Sequence, residues 1–206
     1  YRDVSIMIRN DNVFEVIDYV MSNGVFVNQD RYELAPFINT VRCLIESPSV
    51  ILEIGSAEGG NLCVMSSLLP DDGIVISIEP DSSMNVSKLV ELVSPLPLIH
   101  ICGLSTDKET EDELVRILNG RKIDLLFIDG DHKYTSVKRD FITYSKYVSV
   151  PGIIAFHDIN SKENINYSNG EEMVGIYWEF LKNVRPYIEF KHTRGNGYGI
   201  GMLYIG

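Results

Sequence analysis

Short runs of mostly apolar residues alternate along the chain with stretches in which apolar residues recur every three or four positions. Such runs are typical of strands buried on both faces, and they lie at 49–54, 73–78, 98–102, 123–128 and 152–156. The longer periodicity is typical of amphipathic helices, which are predicted at 13–21, 34–45, 61–69, 84–93, 109–118, 134–148 and 173–181. This alternation predicts an α/β fold, a doubly wound parallel sheet with helices on both faces.

The end of the chain has a different pattern. Two further strand-like runs, 187–192 and 198–205, flank an Arg-Gly-Asn-Gly stretch and predict an antiparallel hairpin. The sequence shows no repeat and no linker-like stretch, and 206 residues suffice for one domain with a substantial core. We therefore expect a single domain over 1–206, with N-terminal helices in 1–48 and the α/β core in 49–206.

Composition excludes some functions and leaves others open. The net charge of −11 makes nucleic acid an unfavourable partner, because phosphate binding draws on clustered Lys and Arg. No apolar run approaches the roughly 20 residues of a membrane-spanning helix, so no membrane association is expected. Cys43, Cys63 and Cys102 lie in apolar stretches without framework spacing, so we expect buried free thiols and a cytoplasmic location. Whether the chain forms a homodimer stays open.

A glycine-rich turn, in LEIGSAEGG, follows the first predicted strand. Gly55, Gly59 and Gly60 permit positive φ and let backbone amides approach a ligand. The next strand ends in Glu79, whose carboxylate can accept hydrogen bonds from both hydroxyls of a ribose. Ala57 stands where the dinucleotide fingerprint has its second glycine, so the motif for a nicotinamide cofactor is weak. A plain tight turn and a solvated acid are the alternative interpretation.

Ionisable residues follow the fourth and fifth predicted strands. Asp129 and His132 come after the fourth, and His157 and Asp158 come after the fifth. Ligands of open α/β sheets bind beyond the carboxyl ends of the strands, so these four side chains are predicted to share a site. Carboxylates in one cleft repel each other unless a cation or a proton lies between them. His132 or His157 could act as a general base with Asp129 orienting it, because an imidazole pKa of about 6.5 suits that role.

LEIGSAEGG followed by SIEPD resembles motif I and the next acidic motif of class I S-adenosylmethionine-dependent methyltransferases. FIDGDHKYTSVKRD and PGIIAFHDI make the chain similar to the small-molecule O-methyltransferases, in particular enzymes related to macrocin O-methyltransferase. The resemblance covers 29–159 and implies a Rossmann-like methyltransferase sheet, mostly parallel, with a C-terminal antiparallel hairpin. The implied activity is methylation of a hydroxyl on a small molecule such as a sugar or a phenol, with S-adenosylmethionine as cofactor.

The resemblance also implies roles for individual residues. The cofactor-binding positions are Glu53, Gly55, Ala57, Gly59, Glu79 and Asp129, and 103–107 would flank adenine. Gln29 falls where the family often has a polar residue over the cofactor, although a surface position is an equal expectation. His132 occupies the position of the general base.

Asp129 and Asp158 occupy the positions of two metal ligands in the metal-dependent members of the family. The third ligand of those enzymes follows the second directly, but here that residue is Ile159, with Asn160 one position later. His157 could coordinate instead, which would favour softer transition metals. Binding of Mg²⁺ or another divalent cation is therefore an open prediction.

Two other functions are compatible with these residues. A metal-dependent hydrolase would use the Asp and His cluster with a bound water, but it leaves Glu79 and the glycine turn unexplained. A catalytically inactive methyltransferase-like binding domain would explain the absent third ligand. We further interpret Asp131 as a helix N-cap, Asp140 as part of a solvated helix face, and the polar stretch 160–170 as a lid over the substrate.

Overall fold

The computed structural model describes residues 8, 10–81, 84–160, 174–192 and 198–206. Two helices, α1 (Val13–Ser22) and α2 (Arg31–Leu44), precede the sheet. The remaining elements are β1 (Val50–Ile54), α3 (Gly60–Ser66), β2 (Ile74–Ile78), α4 (Val86–Val93), β3 (Leu98–Ile101), α5 (Lys108–Leu118), β4 (Ile123–Ile128), α6 (Tyr134–Tyr144), β5 (Val148–Phe156), α7 (Val174–Lys182), β6 (Tyr187–Phe190) and β7 (Ile200–Ile205). The predicted lid lies outside the described residues except for Asn160, and so does the turn at 193–197.

The strands form one sheet in the order β3-β2-β1-β4-β5-β7-β6. Neighbours from β3 to β5 are parallel, and β7 runs antiparallel to both β5 and β6. The predicted fold class, a mostly parallel doubly wound sheet with antiparallel closing strands, is confirmed. The chain moves outward from β1 to β3 and then returns to β4 on the other side of β1. The turns after β1 and β4 therefore diverge, and this topological switch point is where open α/β sheets bind ligands.

Both faces of the sheet are buried at the central strands β1, β2 and β4, which explains why these strands are apolar at nearly every position. Ile51, Val75 and Phe127 point towards the layer formed by α1 to α4. Their sequence neighbours Leu52 and Leu126 point the other way, towards α5 to α7. This arrangement leaves the ends of the strands as the place where polar groups can collect.

Two sequence expectations about local structure are wrong. The helix predicted to reach Val148 ends at Tyr144, because Val148 pairs with Ile123 and begins β5. Of the three cysteines, Cys63 is buried in α3, whereas Cys43 lies on the exposed side of α2. Cys102 is also exposed, because it follows β3 at the edge of the sheet. Among the described helices, none is both long and apolar enough to cross a membrane.

Candidate active site

A cavity of about 760 Å³ lies over the carboxyl ends of β1, β2, β4 and β5. It is lined by Asn28, Ile54, Gly55, Ala57, Ile78, Glu79, Pro80, Leu104, Ser105, Thr106, Asp129, Gly130, Asp131, His132, Ser136, His157, Asp158 and Tyr198. Its volume is within the range of about 300–1,000 Å³ that small-molecule sites occupy. The glycine turn and Glu79 line one part of the cavity, and the ionisable residues after β4 and β5 line another.

The glycine turn and Glu79 form one hydrogen-bonded unit. Gly55 has a φ of 83°, and a Cβ there would lie 2.1 Å from the carbonyl oxygen of Asp129, so the backbones that follow β1 and β4 can begin this close together only at a glycine. The N–H of Ala57 donates to Glu79 Oε2 over 2.9 Å, and the N–H of Asp81 donates to Oε1 over 2.9 Å. Glu79 is therefore a fixed, largely buried carboxylate at the cavity wall.

Glu53 and Gly59 support this turn from behind and are not among the lining residues. Glu53 is 1 % exposed, and its Oε1 accepts a hydrogen bond of 2.6 Å from Asn61 Nδ2. Burial raises the pKa of Glu53 to about 8, so its carboxyl group holds a proton at neutral pH. Gly59, with a φ of 82°, precedes α3, and a Cβ there would lie 2.3 Å from the Leu89 side chain.

The four residues after β4 and β5 form one connected cluster. Asp129 Oδ1 lies 3.2 Å from His157 Nδ1 and 3.6 Å from His132 Nε2. Asp158 completes the set, with Oδ2 at 3.1 Å from His132 Nε2 and Oδ1 at 3.3 Å from His157 Nδ1. Asp158 has a φ of 61°, a conformation that non-glycine residues seldom adopt and that often occurs at functional sites. The structure thus brings together the residues that the sequence predicted to meet.

The electrostatics of the cluster favour a protonated His157 between the carboxylates. Burial alone would lower the pKa of His157, but the charges of Asp129 and Asp158 outweigh it and bring this pKa to about 9. The interaction with the Asp129 carboxylate is the main cause of the raised pKa of His132, and burial opposes it. Burial alone would raise the pKa of Asp129, but the two histidines outweigh it and lower that pKa. A proton on His157 therefore separates the like charges of the two carboxylates.

Gln29 belongs to the cluster although it is 100 residues from its partner. Its Nε2 donates to Asp129 Oδ2 over 2.6 Å, and the side chain is 5 % exposed, so the surface alternative is wrong. Tyr198 was missed by the sequence analysis. It lines the cavity, with its ring centroid 6.1 Å from that of His157. The N–H of Gly199, next to Tyr198, donates a hydrogen bond to the Glu33 carboxylate. No local sequence pattern marks Tyr198 or Glu33 as part of the site.

Two acidic residues near the cluster differ from their predicted roles. The N-cap of α6 is Lys133, and Asp131 Oδ2 instead accepts a hydrogen bond of 2.8 Å from Ser136 Oγ. Asp140 is not solvated: it is 1 % exposed, and its Oδ1 accepts a hydrogen bond of 2.7 Å from Ser105 Oγ. The side of α6 that carries Asp140 packs against the turn after β3, which the helical pattern alone does not reveal.

The cluster also offers a set of ligands for a divalent cation. Atoms of Asp129, His132 and Asp158 lie within 4.8 Å of one another, a spacing that one metal ion could bridge. Ile159, at the position of the family's third ligand, is 1 % exposed and packs in the core between the sheet and α5 to α7. His132 rather than the residue after Asp158 therefore completes this ligand set.

Comparison with known proteins identifies the family of the chain. Residues 52–159 match the family described as "Methyltransferase domain". Uncharacterized protein R132 of Acanthamoeba polyphaga mimivirus is 34% identical over 113 residues, which are 52% of this chain and 50% of that protein. The chain thus spans about half the length of this relative.

Two solved structures share the fold at low sequence identity. An O-methyltransferase from Bacillus cereus in complex with SAH has a TM-score of 0.65 and 20% identity, covering 96% of this chain and 91% of that one. The MycE methyltransferase of the mycinamycin biosynthetic pathway, in complex with Mg and SAH, has a TM-score of 0.63 and 17% identity, covering 95% of this chain and 54% of that one. The matched region contains the glycine turn, Glu79 and the four residues Asp129, His132, His157 and Asp158, and the chain belongs to the methyltransferase domain family.

Proposed function

We propose that this protein transfers a methyl group from S-adenosylmethionine to a hydroxyl of a small molecule, with a sugar as the favoured acceptor class. The proposal rests on the set of residues that line the cavity. Glu79 offers a carboxylate suited to ribose hydroxyls, and the Asp129, His132 and Asp158 cluster offers a base and ligands suited to a hydroxyl. Similarity to MycE, which was also solved with Mg, SAH and mycinamycin VI, supports a small-molecule acceptor and a cation.

The residues present fit the cofactor. The cavity has room for a ligand and part of an acceptor, and both Glu79 oxygens are held in place by backbone N–H groups. Each of these oxygens has a further lone pair that can accept a hydrogen bond from a ribose hydroxyl. When bound, the cofactor supplies a methyl group on a positively charged sulfur, and the carboxylates of the nearby cluster favour such a charge.

In the proposed reaction the acceptor oxygen attacks the methyl carbon. A C–O bond forms as the C–S bond breaks, and the electron pair of the C–S bond stays on sulfur, so S-adenosylhomocysteine leaves as a neutral thioether. The acceptor hydroxyl loses its proton, for which His132 is the candidate base. Its side chain is 42% exposed and borders the cavity, and Asp158 and Asp129 stabilise the imidazolium that results.

His157 has a different proposed role from His132. Its side chain is 9% exposed, and its Nδ1 lies 3.2 and 3.3 Å from Asp129 and Asp158. A buried imidazolium between two carboxylates fixes their positions, so we assign His157 to orienting Asp129. Gln29 holds the other oxygen of Asp129 from the opposite side.

A divalent cation would take Asp129 and Asp158 as ligands and would lower the pKa of an acceptor hydroxyl. Carboxylate oxygens suit Mg²⁺ or Mn²⁺, and a third ligand from imidazole would shift the preference towards Mn²⁺ and softer metals. His132 is close enough to serve as that ligand or as the base, and one variant distinguishes the two roles. If His132→Gln abolishes turnover but keeps metal affinity, His132 is the base; loss of metal affinity makes it a ligand.

The test is transfer of isotope-labelled methyl from S-adenosylmethionine to a panel of sugar glycosides and phenols. We expect a labelled ether on at least one sugar acceptor, loss of turnover with EDTA, and recovery with Mg²⁺ or Mn²⁺. Asp158→Asn should weaken metal binding without weakening cofactor binding. A rate that EDTA does not change would refute the cation, and tight cofactor binding without labelling of any hydroxyl would favour a non-catalytic role.

A further inference from the structure

The turn after β3 is attached to α6 by contacts that do not involve the cluster of Asp129, His132, His157 and Asp158. Building on the proposed cofactor site, we propose that Asp140 is a positioning residue that sets cofactor affinity by fixing Ser105 at the cavity wall. Asp140 itself is not among the lining residues, so it acts through Ser105. Neither the family resemblance nor the helical pattern of α6 assigns Asp140 a role.

Asp140 and Ser105 are joined by a direct hydrogen bond. Asp140 Oδ1 accepts a hydrogen bond of 2.7 Å from Ser105 Oγ, between residues 35 positions apart. Asp140 is 1 % exposed, and a buried carboxylate is costly unless it is hydrogen-bonded, so this bond is strongly favoured. Ser105 borders the cavity together with Leu104 and Thr106.

Two further contacts hold the main chain of the same turn. The phenol of Tyr144, which is fully buried, donates to the carbonyl oxygen of Ser105 over 2.7 Å. The guanidinium of Arg139 donates to the carbonyl oxygen of Thr106. With the backbone fixed by these contacts, the bond to Asp140 determines mainly how the Ser105 hydroxyl is oriented.

Ionisation of Asp140 determines which atom of that hydrogen bond carries the proton. A carboxylate can only accept, so the Ser105 hydroxyl must donate to it, and the serine oxygen keeps lone pairs for a donor in the cavity. The adenine of the cofactor carries such a donor in its exocyclic amino group. A protonated Asp140 can donate instead, which frees the Ser105 hydroxyl to present a proton towards the ligand and removes the match.

Asp140 changes its protonation state at a pH that a binding experiment can reach. Burial raises the pKa of Asp140 to about 6; its Ser105 hydrogen bond and the charge of Arg139 lower the pKa, and Asp131 raises it. Tyr144 is the other titratable group beside it, and it stays neutral because burial raises its pKa further. Cofactor affinity should therefore increase as pH rises through about 6.

The test is calorimetric titration with S-adenosylhomocysteine, and separately with adenosine, from about pH 5 to about pH 7.5. In the wild type we expect affinity for both ligands to rise through about pH 6. Asp140→Asn cannot ionise and should lose that pH-dependent rise, while Asp140→Ala should bind roughly tenfold more weakly at neutral pH. In a protein that already carries Ser105→Ala, adding Asp140→Asn should change cofactor affinity no further, because the partner through which Asp140 acts is absent.

The outcomes separate this inference from the proposed function. If the wild type fails to bind S-adenosylhomocysteine, the cofactor site is wrong and this inference is overturned with it. If the wild type binds but Asp140→Asn has the same affinity and pH profile, only the inference is overturned. Ser105→Ala and Asp140→Asn keep the test decisive if Asp140→Ala does not fold, and far-ultraviolet circular dichroism verifies the folding of each variant.

Discussion

Replacement of Glu53 by Gln tests whether the acid of the glycine motif is neutral in the folded protein. Glu53 is 1 % exposed, and burial raises its pKa from 4.5 to about 8. Oε1 accepts a hydrogen bond from Asn61, whereas Oε2 and Asn61 Oδ1 have no hydrogen-bond partner among the described residues. A proton on Oε2 turns one of these two acceptors into a donor. Gln supplies a similar shape and a permanent donor, but it cannot ionise.

The sign of the effect on stability follows from proton binding. The folded protein keeps the Glu53 proton up to about pH 8, whereas the unfolded chain releases it from about pH 4.5 upwards. The contribution to stability is therefore fully present below about pH 4.5 and is lost as the pH rises through about 8. At about 1.4 kcal/mol for each tenfold change in proton affinity, the whole loss is roughly 3–5 kcal/mol.

Urea unfolding from about pH 5 to about pH 8 measures this loss. We expect the free energy of unfolding to fall with pH less steeply in Glu53→Gln than in the wild type, by at least about 2 kcal/mol over this range. Ionisable groups elsewhere contribute equally to both proteins and cancel in the comparison. Glu109→Gln, on the exposed surface of α5, is the matched control and should retain the wild-type slope. Equal slopes for Glu53→Gln and the wild type would refute a protonated Glu53.

Three further predictions concern other parts of the molecule. Glu79→Ala should weaken the binding of S-adenosylmethionine by about 1.5–3 kcal/mol, because it removes a charged acceptor and leaves the N–H groups of Ala57 and Asp81 without that acceptor. Unchanged affinity in calorimetry would exclude Glu79 from the site. Cys43 and Cys102 should react quickly with a thiol reagent in the native protein and Cys63 only after unfolding, because Cys63 is buried and burial raises its pKa to about 12; three fast or three slow thiols would contradict this. Ile159→Asn should destabilise the protein by about 1–3 kcal/mol without tightening metal binding, because the side chain lies in the core; tighter Mn²⁺ binding by this variant would show the opposite.

The fold could be predicted from the sequence because its strands are buried on both faces. Mostly apolar runs such as Val50–Ile54 and Ile123–Ile128 occur where helices cover both sides of a sheet, and predicted helices separate these runs along the chain. The error at Val148 arose because an apolar residue fits a helical stripe as well as the start of a strand. Exposure of Cys102 depends on the position of β3 at the edge of the sheet, which the order of elements along the chain does not reveal.

The candidate site could be predicted only in part. Asp129, His132, His157 and Asp158 were found because topology brings the ends of parallel strands together. The contacts of Gln29 with Asp129 and of Asp140 with Ser105 join residues far apart in the chain, and neither has a local signal. Asp140 follows Lys138 and Arg139 in a polar stretch, and its burial results from packing of α6 against the turn after β3.

A crystal structure of the protein with S-adenosylhomocysteine would show directly whether the cofactor binds in the cavity between Glu79 and the ionisable cluster. We expect ribose hydroxyls on the Glu79 carboxylate, adenine beside Ser105, and the sulfur atom facing the cluster of Asp129, His132 and Asp158. Ligand bound elsewhere, or bound with its sulfur directed away from that cluster, would contradict the proposed cofactor site.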